Sequence, residues 1–479
     1  MKPFLLMPEF QLLAWALVLF VYDACRPLRP RVLAGAGILG AAAVLVGMLV
    51  PAATLPAGLY FNDLYAVDGL AVFFKQFFLA TLIVVLWSAA GYTEEMPAAR
   101  SEFLLLPLLT TVGMMLLASA VDFILMFAAL ELVTISFYVL VACRRDQAKS
   151  LEAGVKYLII GALSTAFLVY GIAFLFGNVG ATSFAAVQAK FTGAPANASV
   201  LFAVAMILAG LCFKIAAVPF HSWAPDVYQG APTPVTAFLA VGSKAAGFAV
   251  LLRLLDFDAF NVPALMPFTG SLLAVLAGVS VILGTFAALP QRNLKRLLGY
   301  SSIGHAGFML IALSCHSERG VNAVLIYLVS YLLAGLLAFY LIGIVARRVG
   351  GEELLDFSGL AKRSPLAAFG LTVAFVSMAG IPPLIGFAGK FGVLAAAWES
   401  QRFILVGVGA IAAAAGLYYY LGIVRYMYWN EPTGEAPAVR LSFGEKLPVW
   451  VLTAAVIAFG IYQMPVAVVV HKVLAQGNW

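Results

Sequence analysis

Two stretches decide how this chain folds: LAGLCFKIAAVPFHSWAPDVYQ, residues 208–229, and VSMAGIPPLIGFAGKFGVLAAAW, residues 376–398. Each is a long apolar run that carries a lysine, Lys214 or Lys390, and a pair of prolines, Pro219 with Pro225 or Pro382 with Pro383. Proline removes a backbone donor and clashes with the preceding turn, so neither run is one clean helix. In hydrocarbon such a break is tolerated only where protein buries it or it lines a wet cavity. A lysine at mid-bilayer adds at least about 2.5–3.5 kcal/mol of cost on insertion scales. Packing alone does not explain a chain that keeps both features twice.

The rest of the sequence places these runs in a membrane. Of 479 residues, 63% are hydrophobic and 10% charged, against roughly 25% charged in a soluble domain. So few charges cannot cover a soluble surface of this size. The same figures exclude disordered, collagenous and disulfide-framework classes. The net charge of +6 is spread over short loops and forms no patch, so no nucleic-acid partner is expected. Cys25, Cys143, Cys212 and Cys315 are far apart, with no CxxC or Cys/His spacing, and no zinc, haem or iron–sulfur site is expected. The N-terminus enters an apolar run without a small-residue cleavage site and reads as a retained first helix.

A crossing needs about 20 apolar residues as a helix. Fourteen runs qualify. The first seven lie near 8–23, 32–50, 69–91, 103–118, 121–143, 152–177 and 198–228. The others lie near 233–254, 265–289, 298–315, 320–346, 365–398, 403–426 and 447–470. A transmembrane barrel needs alternating strands of about ten residues, and Leu151–Phe176 is apolar on every side. With fourteen crossings, the odd-numbered loops hold seventeen lysines and arginines and the other side six. The positive-inside rule then puts the odd loops in the cytoplasm and both termini outside, in a bacterial inner membrane on the family resemblance given below.

The two breaks fall in the seventh and twelfth runs, five apart. The sixth and eleventh also align loosely, AGVKYLIIGALSTAFLVYG from Ala153 against NAVLIYLVSYLLAGLLAFYLIG from Asn322. Because five is odd, such repeats begin in opposite orientations, the pattern of inverted repeats. The expected fold is an all-α polytopic membrane protein of about fourteen transmembrane helices. Two inverted five-helix repeats comprise helices 4–8 and 9–13, with helices 7 and 12 broken. Residues 1–479 form a single integral membrane domain: 1–100 for helices 1–3, 101–260 and 261–430 for the repeats, and 431–479 for helix 14.

With Arg253 and Arg425, at the ends of their runs, counted in the loops, five cations remain inside runs, all lysines: Lys75, Lys156, Lys214, Lys244 and Lys390. Burial favours release of a lysine's proton, and a nearby carboxylate opposes that release. Arginine cannot take this part, because guanidinium stays protonated. Among the acids only Glu131, in LMFAALELVTISFYVL, sits near the middle of a run. Lys214 and Lys390 adjoin breaks, where polar cavities form. Lys244 has small neighbours that permit close packing. These three lysines and Glu131 are the principal candidates for proton transfer; for Glu131 the alternative is a structural ion pair. His305 serves either as relay or as an interhelical hydrogen-bond partner. Lys156 stands at i, i+4 from Glu152 and is either a surface pair or a relay member, and His221, after the first break, is equally open. Lys75 reads as structural, paired with Asp63 or Asp68. No nucleophile–base pair, phosphate-binding glycine loop or Rossmann fingerprint is present.

Three strings carry a resemblance: FKIAAVPFHSWAPDVYQGAPTPVTAFLAVGSKAAGFAVLLR from Phe213, NLKRLLGYSSIGHAGFML from Asn293, and the Glu131 helix. They resemble the antiporter-like membrane subunits of respiratory complex I, bacterial NADH-quinone oxidoreductase. GAPTPVTAFLAVGSKAAG, with lysine at 244, separates the N type from its L and M relatives. The resemblance spans the chain, without departure at the key positions. It implies that Glu131 is the fifth-helix glutamate, Lys214 the seventh-helix lysine and Lys244 the eighth-helix connecting residue. Lys390 would be the twelfth-helix lysine of the outward half-channel, and His305 the tenth-helix histidine. The chain ends soon after helix 14, so the long lateral helix of the L type is not expected.

The function implied is proton translocation in a redox-driven complex, with no cofactor in this chain. NADH, FMN, iron–sulfur clusters and quinone would belong to partner subunits. Its partners would be other complex I subunits, neighbouring antiporter-like subunits above all, and membrane lipid. One alternative is a subunit of a multi-subunit sodium/proton antiporter; another is a scaffold with vestigial charges. On the favoured reading Lys214, Lys244, Lys390, Glu131 and His305 are expected to form one hydrated polar axis.

Overall fold

A chain in hydrocarbon must satisfy its own backbone hydrogen bonds, and this one does so with helices. The computed structural model describes residues 7–50, 55–93, 96, 100–432 and 438–475. Among these, twelve helices are long and apolar enough to cross a membrane. Leu294–Leu313 and the broken pair Pro365–Ala379 and Ile385–Glu399 complete the fourteen segments expected. Helix starts follow side-chain chemistry. Asp68, Asp122, Asn293, Ser317 and Ser442 each accept a backbone N–H at the head of a segment, an N-cap worth roughly 1 kcal/mol.

Both breaks are where the prolines put them. The seventh segment runs Ala198–Ile215, turns through Ala216 at φ +57° and a cis Val218–Pro219 bond, and resumes as Trp223–Gly230. The twelfth ends its first half at Ala379 and turns through Gly380 at φ +86° and a cis Pro382–Pro383 bond. Its second half begins at Ile385. The segments preceding these two are also alike. Ala148–Val179 and Glu318–Val349 are each 32 residues long, and each stops at a left-handed glycine, Gly180 or Gly350. These pairs fall five segments apart, the spacing of the repeat.

The chain forms two compact units. The first contains the described residues of Met1–Ile215, Gly230–Thr269 and Lys472–Trp479. Its eighth segment, Thr233–Phe257, is buried from Thr233 to Asp256 and contains two π-helical turns, Leu239–Ser243 and Arg253–Phe257. The second turn carries a side chain that the sequence placed in a loop. Arg253 is 2% exposed and donates to Asp68 (2.9 and 3.0 Å), Asp258 (3.3 Å) and the Ala118 carbonyl (2.8 and 3.1 Å). Arginine is therefore not kept out of the interior; two carboxylates admit it. Burial pushes the Asp68 carboxyl up, but the adjacent guanidinium outweighs this and holds it below the usual carboxylate range.

Lys75 is also paired differently from expectation. Its partner is neither Asp63 nor Asp68 but Glu9 (2.9 Å), with the Tyr65 hydroxyl at 2.6 Å. Tyr65 comes from a short antiparallel hairpin, Gly58–Tyr60 against Tyr65–Val67.

The second unit contains Ala216–Gln229 and the described residues of Gly270–His471. Its tenth segment begins at Leu294, four residues before the apolar run, so Lys295 and Arg296 lie on the helix. Lys295 is buried against Glu352 (2.8 Å), and Arg296 pairs with Asp226 (2.5 Å). The last apolar run, 447–470, is not one helix. The fourteenth segment is Phe443–Ile461, and a separate short helix, Met464–Leu474, follows.

Candidate proton-transfer site

In the first unit the candidates gather around the end of a half-helix. Lys214 occupies the last turn of Ala198–Ile215 and is 2% exposed. The last four carbonyls of a helix lack intrahelical partners and carry its negative pole, so this end of a helix favours a cation. Its Nζ donates to Thr134 Oγ1 at 2.6 Å. Thr134 stands one turn beyond Glu131 on the fifth segment, and Glu131 accepts from the Thr165 hydroxyl at 2.8 Å.

Lys214 and Glu131 are close enough to interact electrostatically, yet Lys214 donates to a hydroxyl instead of to the carboxylate. A neutral lysine amine can keep such a hydrogen bond, so this contact does not lock the charge in place. Lys244, 2% exposed, begins directly after the first π-helical turn. One turn later Gly247 lies against Lys214, and a Cβ there would stand 3.4 Å from Lys214 Cβ and 3.6 Å from Cγ. The seventh and eighth segments thus pack closely where both lysines are.

The second unit contains a matching arrangement. Lys390, on the second half of the twelfth segment, reaches back across the break and donates to the Ala379 carbonyl at 3.0 Å. Ala379 closes the first half. Lys390 therefore also uses a helix C-terminus that exists only because the helix is broken. Gly380 must be glycine on two counts: its φ of +86° suits no L side chain well, and a Cβ would meet Lys390 Cδ at 2.7 Å.

Lys390 and His305 line one small cavity with Tyr327, Ser330, Tyr331 and Ser377. His305 Nδ1 is 2.6 Å from the Tyr327 hydroxyl, and Nε2 is 2.9 Å from that of Tyr420. The structure thus sorts five candidates into two sets: Glu131, Lys214 and Lys244 in the first unit, His305 and Lys390 in the second.

Lys156 and His221 are placed otherwise. Lys156 pairs with Glu152 at 2.6 Å, with side chains 41% and 63% exposed, as the i, i+4 spacing suggested. His221, in the first break, has its Nδ1 at 3.3 Å from the Pro219 carbonyl. Both of these contacts are local, made within one turn of chain. The residues missed by sequence reasoning are hydroxyls: Thr134 and Thr165 beside the acidic helix, and Tyr327, Tyr331 and Tyr420 around the histidine. Tyr327 and Tyr331 are spaced i, i+4 within the eleventh run, a signal that could have pointed to one shared face.

Glu131, Lys214, His305 and Lys390, each with a neutral hydrogen-bonding neighbour, can take up and release protons. Residues 120–416 match the family model described as NADH:quinone oxidoreductase/Mrp antiporter, TM. A relative from Heliobacterium modesticaldum named NADH-quinone oxidoreductase subunit N is 41% identical, covering 85% of this chain and 85% of that one. A chain of respiratory complex I from Thermus thermophilus, solved with bound aureothin, matches with TM-score 0.82 at 33% identity, over 98% of this chain and 100% of that chain. A chain of the Mrp complex from Dietzia matches with TM-score 0.82 at 19% identity, over 98% and 96%, a likeness of fold alone.

Proposed function

Since this chain belongs to the NADH:quinone oxidoreductase/Mrp antiporter family, beside relatives named NADH-quinone oxidoreductase subunit N, we propose that it is the proton-translocating membrane subunit of such an oxidoreductase. Glu131, Lys214, Lys244, His305 and Lys390 are its proton-transfer groups, with Lys156 and His221 as outer members. The chain contributes no redox centre. NADH, FMN, iron–sulfur clusters and quinone belong to partner subunits in a bacterial inner membrane, with both termini on the outer face.

One observation supports this reading most. Lys214 stands in the last turn of one half-helix and Lys390 donates to the last residue of another, and each of these ends exists because its helix is broken. A broken helix with a buried cation is costly, and it is accounted for if the cation changes protonation there. The helix end steadies the charged form, while a hydroxyl or carbonyl neighbour leaves no fixed counter-charge in contact.

The test uses the intact complex in sealed vesicles. Lys214→Ala and Lys390→Ala should each abolish most NADH-driven proton uptake while the complex still assembles. Normal pumping in both would remove the reading. The antiporter alternative shares the family model and the fold but not the relatives' names, and it predicts a chain that purifies without flavin or iron–sulfur subunits and shows sodium-dependent proton exchange.

A further inference from the structure

The tyrosines around His305 do more than fill space. His305 is 5% exposed, and each ring nitrogen meets a different phenol: Nδ1 the Tyr327 hydroxyl at 2.6 Å, Nε2 the Tyr420 hydroxyl at 2.9 Å. Tyr420 continues to Ser301 Oγ at 3.0 Å. At the other end, Tyr327 lines the cavity that Lys390 also lines. The helix bearing Lys390 comes this close because residue 389 is glycine; a Cβ there would stand 3.0 Å from Tyr327 Cα and 3.1 Å from its ring. The result is a row of four groups, Tyr327, His305, Tyr420 and Ser301, between the Lys390 cavity and the N-terminal half of the tenth segment.

We propose that Tyr327 and Tyr420 are relay residues of the second unit, hydroxyl links that carry a proton on and off His305 and join Ser301 to the Lys390 cavity. Every member is both donor and acceptor in its neutral form, so the row has two polarities. In one, Ser301 donates to Tyr420, Tyr420 to Nε2, and Nδ1–H to Tyr327. When Ser301 gains a proton, each O–H or N–H passes its own hydrogen to the next atom, and Tyr327 delivers one proton to the cavity. Each residue gains one proton as it loses one, the histidine taking its proton at Nε2 and giving one up from Nδ1. The histidine ends in the opposite tautomer, and the row resets when the hydroxyls turn. A phenol suits each link because it holds its oxygen on a rigid ring, and Tyr420 is held by Phe375 stacked at 6.0 Å.

This inference rests on the proton-transfer reading of Lys390 and His305, and the experiment separates the two. In vesicles containing the intact complex, the rate of NADH-driven proton uptake is compared in Tyr327→Phe, Tyr420→Phe, Lys390→Ala and His305→Ala. Phenylalanine keeps the rings and loses only the hydroxyls. Each phenylalanine variant should lower the pumping rate at least about tenfold, a threshold set below the roughly 10²–10⁴-fold that positioned proton-transfer groups contribute.

A spectroscopic readout distinguishes a relay from packing. In infrared spectra of the complex with isotopically labelled histidine, taken as the difference from His305→Ala, Tyr420→Phe should shift the His305 tautomer bands. If both phenylalanine variants pump normally while Lys390→Ala and His305→Ala fail, the tyrosine links are overturned and the broader reading stands. Unchanged tautomer bands in Tyr420→Phe overturn them as well. Normal pumping in Lys390→Ala and His305→Ala overturns both.

Discussion

Replacing Lys244 by arginine keeps a positive charge in the eighth segment and removes the capacity to release a proton, since guanidinium stays protonated. If Lys244 only balanced Glu131, the change would be tolerated. As a relay member it must deprotonate. Lys244→Arg is therefore expected to pump about as poorly as Lys244→Ala, measured as proton uptake in sealed vesicles, and normal uptake would reduce the residue to a fixed charge. Arg253, nine residues later, is the counter-example, a cation with two carboxylates and a carbonyl around it. Lys214 and Lys390, which change protonation on this reading, have hydroxyl or carbonyl contacts, and the arginine that stays charged has acids. At this scale the sequence was half legible. A lysine in an apolar run is conspicuous, but its partner is not. Arg253 finds Asp68 at a separation of 185 residues. Tyr420, wholly buried, stands two residues from Tyr418, 76% exposed, and nothing in the order of letters tells them apart.

The elements of the first unit are tied by that arginine. It joins the cap of the third segment, the end of the fourth and the π-helical turn that closes the eighth. Removing one partner of a buried pair typically costs about 3–5 kcal/mol, so Arg253→Met should lower the melting temperature of the complex in detergent. The pH dependence has a definite sign. The Asp68 carboxyl is held below its usual range in the fold, so its stabilisation is present above that range and is lost as pH falls through the depressed folded value. Asp258, raised mainly by burial, works in the opposite sense. Asp68→Asn should therefore flatten the acid limb of the melting curve, and an acid limb as steep as the unsubstituted protein's would contradict this. Broken helices, by contrast, were legible from the start, because proline acts on its own turn and needs no distant partner. The π-helical turns were not, since an inserted residue in a helix leaves no fixed mark in composition.

For the whole molecule, the fourteen segments give each loop a side. Reporter fusions after Arg145 and after Arg348 should report the cytoplasm, and a fusion at Trp479, which lies outside the described residues, the external face. A cytoplasmic C-terminus would mean one crossing too many or too few. Fold class was readable because hydrocarbon leaves a chain few choices. Side-chain partnerships were not, because they form only once distant segments have met. The Glu9–Lys75 pair carries that point into biosynthesis. Glu9 enters the translocon on the first segment, long before Lys75 and the Tyr65 hairpin leave the ribosome. Until the third segment arrives, the nascent chain holds a carboxylate that ends 1% exposed with its partner not yet made. Glu9 stands in the first turn of that segment, so its carboxylate can stay in interfacial water until Lys75 and the Tyr65 hydroxyl reach it. Closing this contact is then a late step that fastens the hairpin and the third segment to the end of the first.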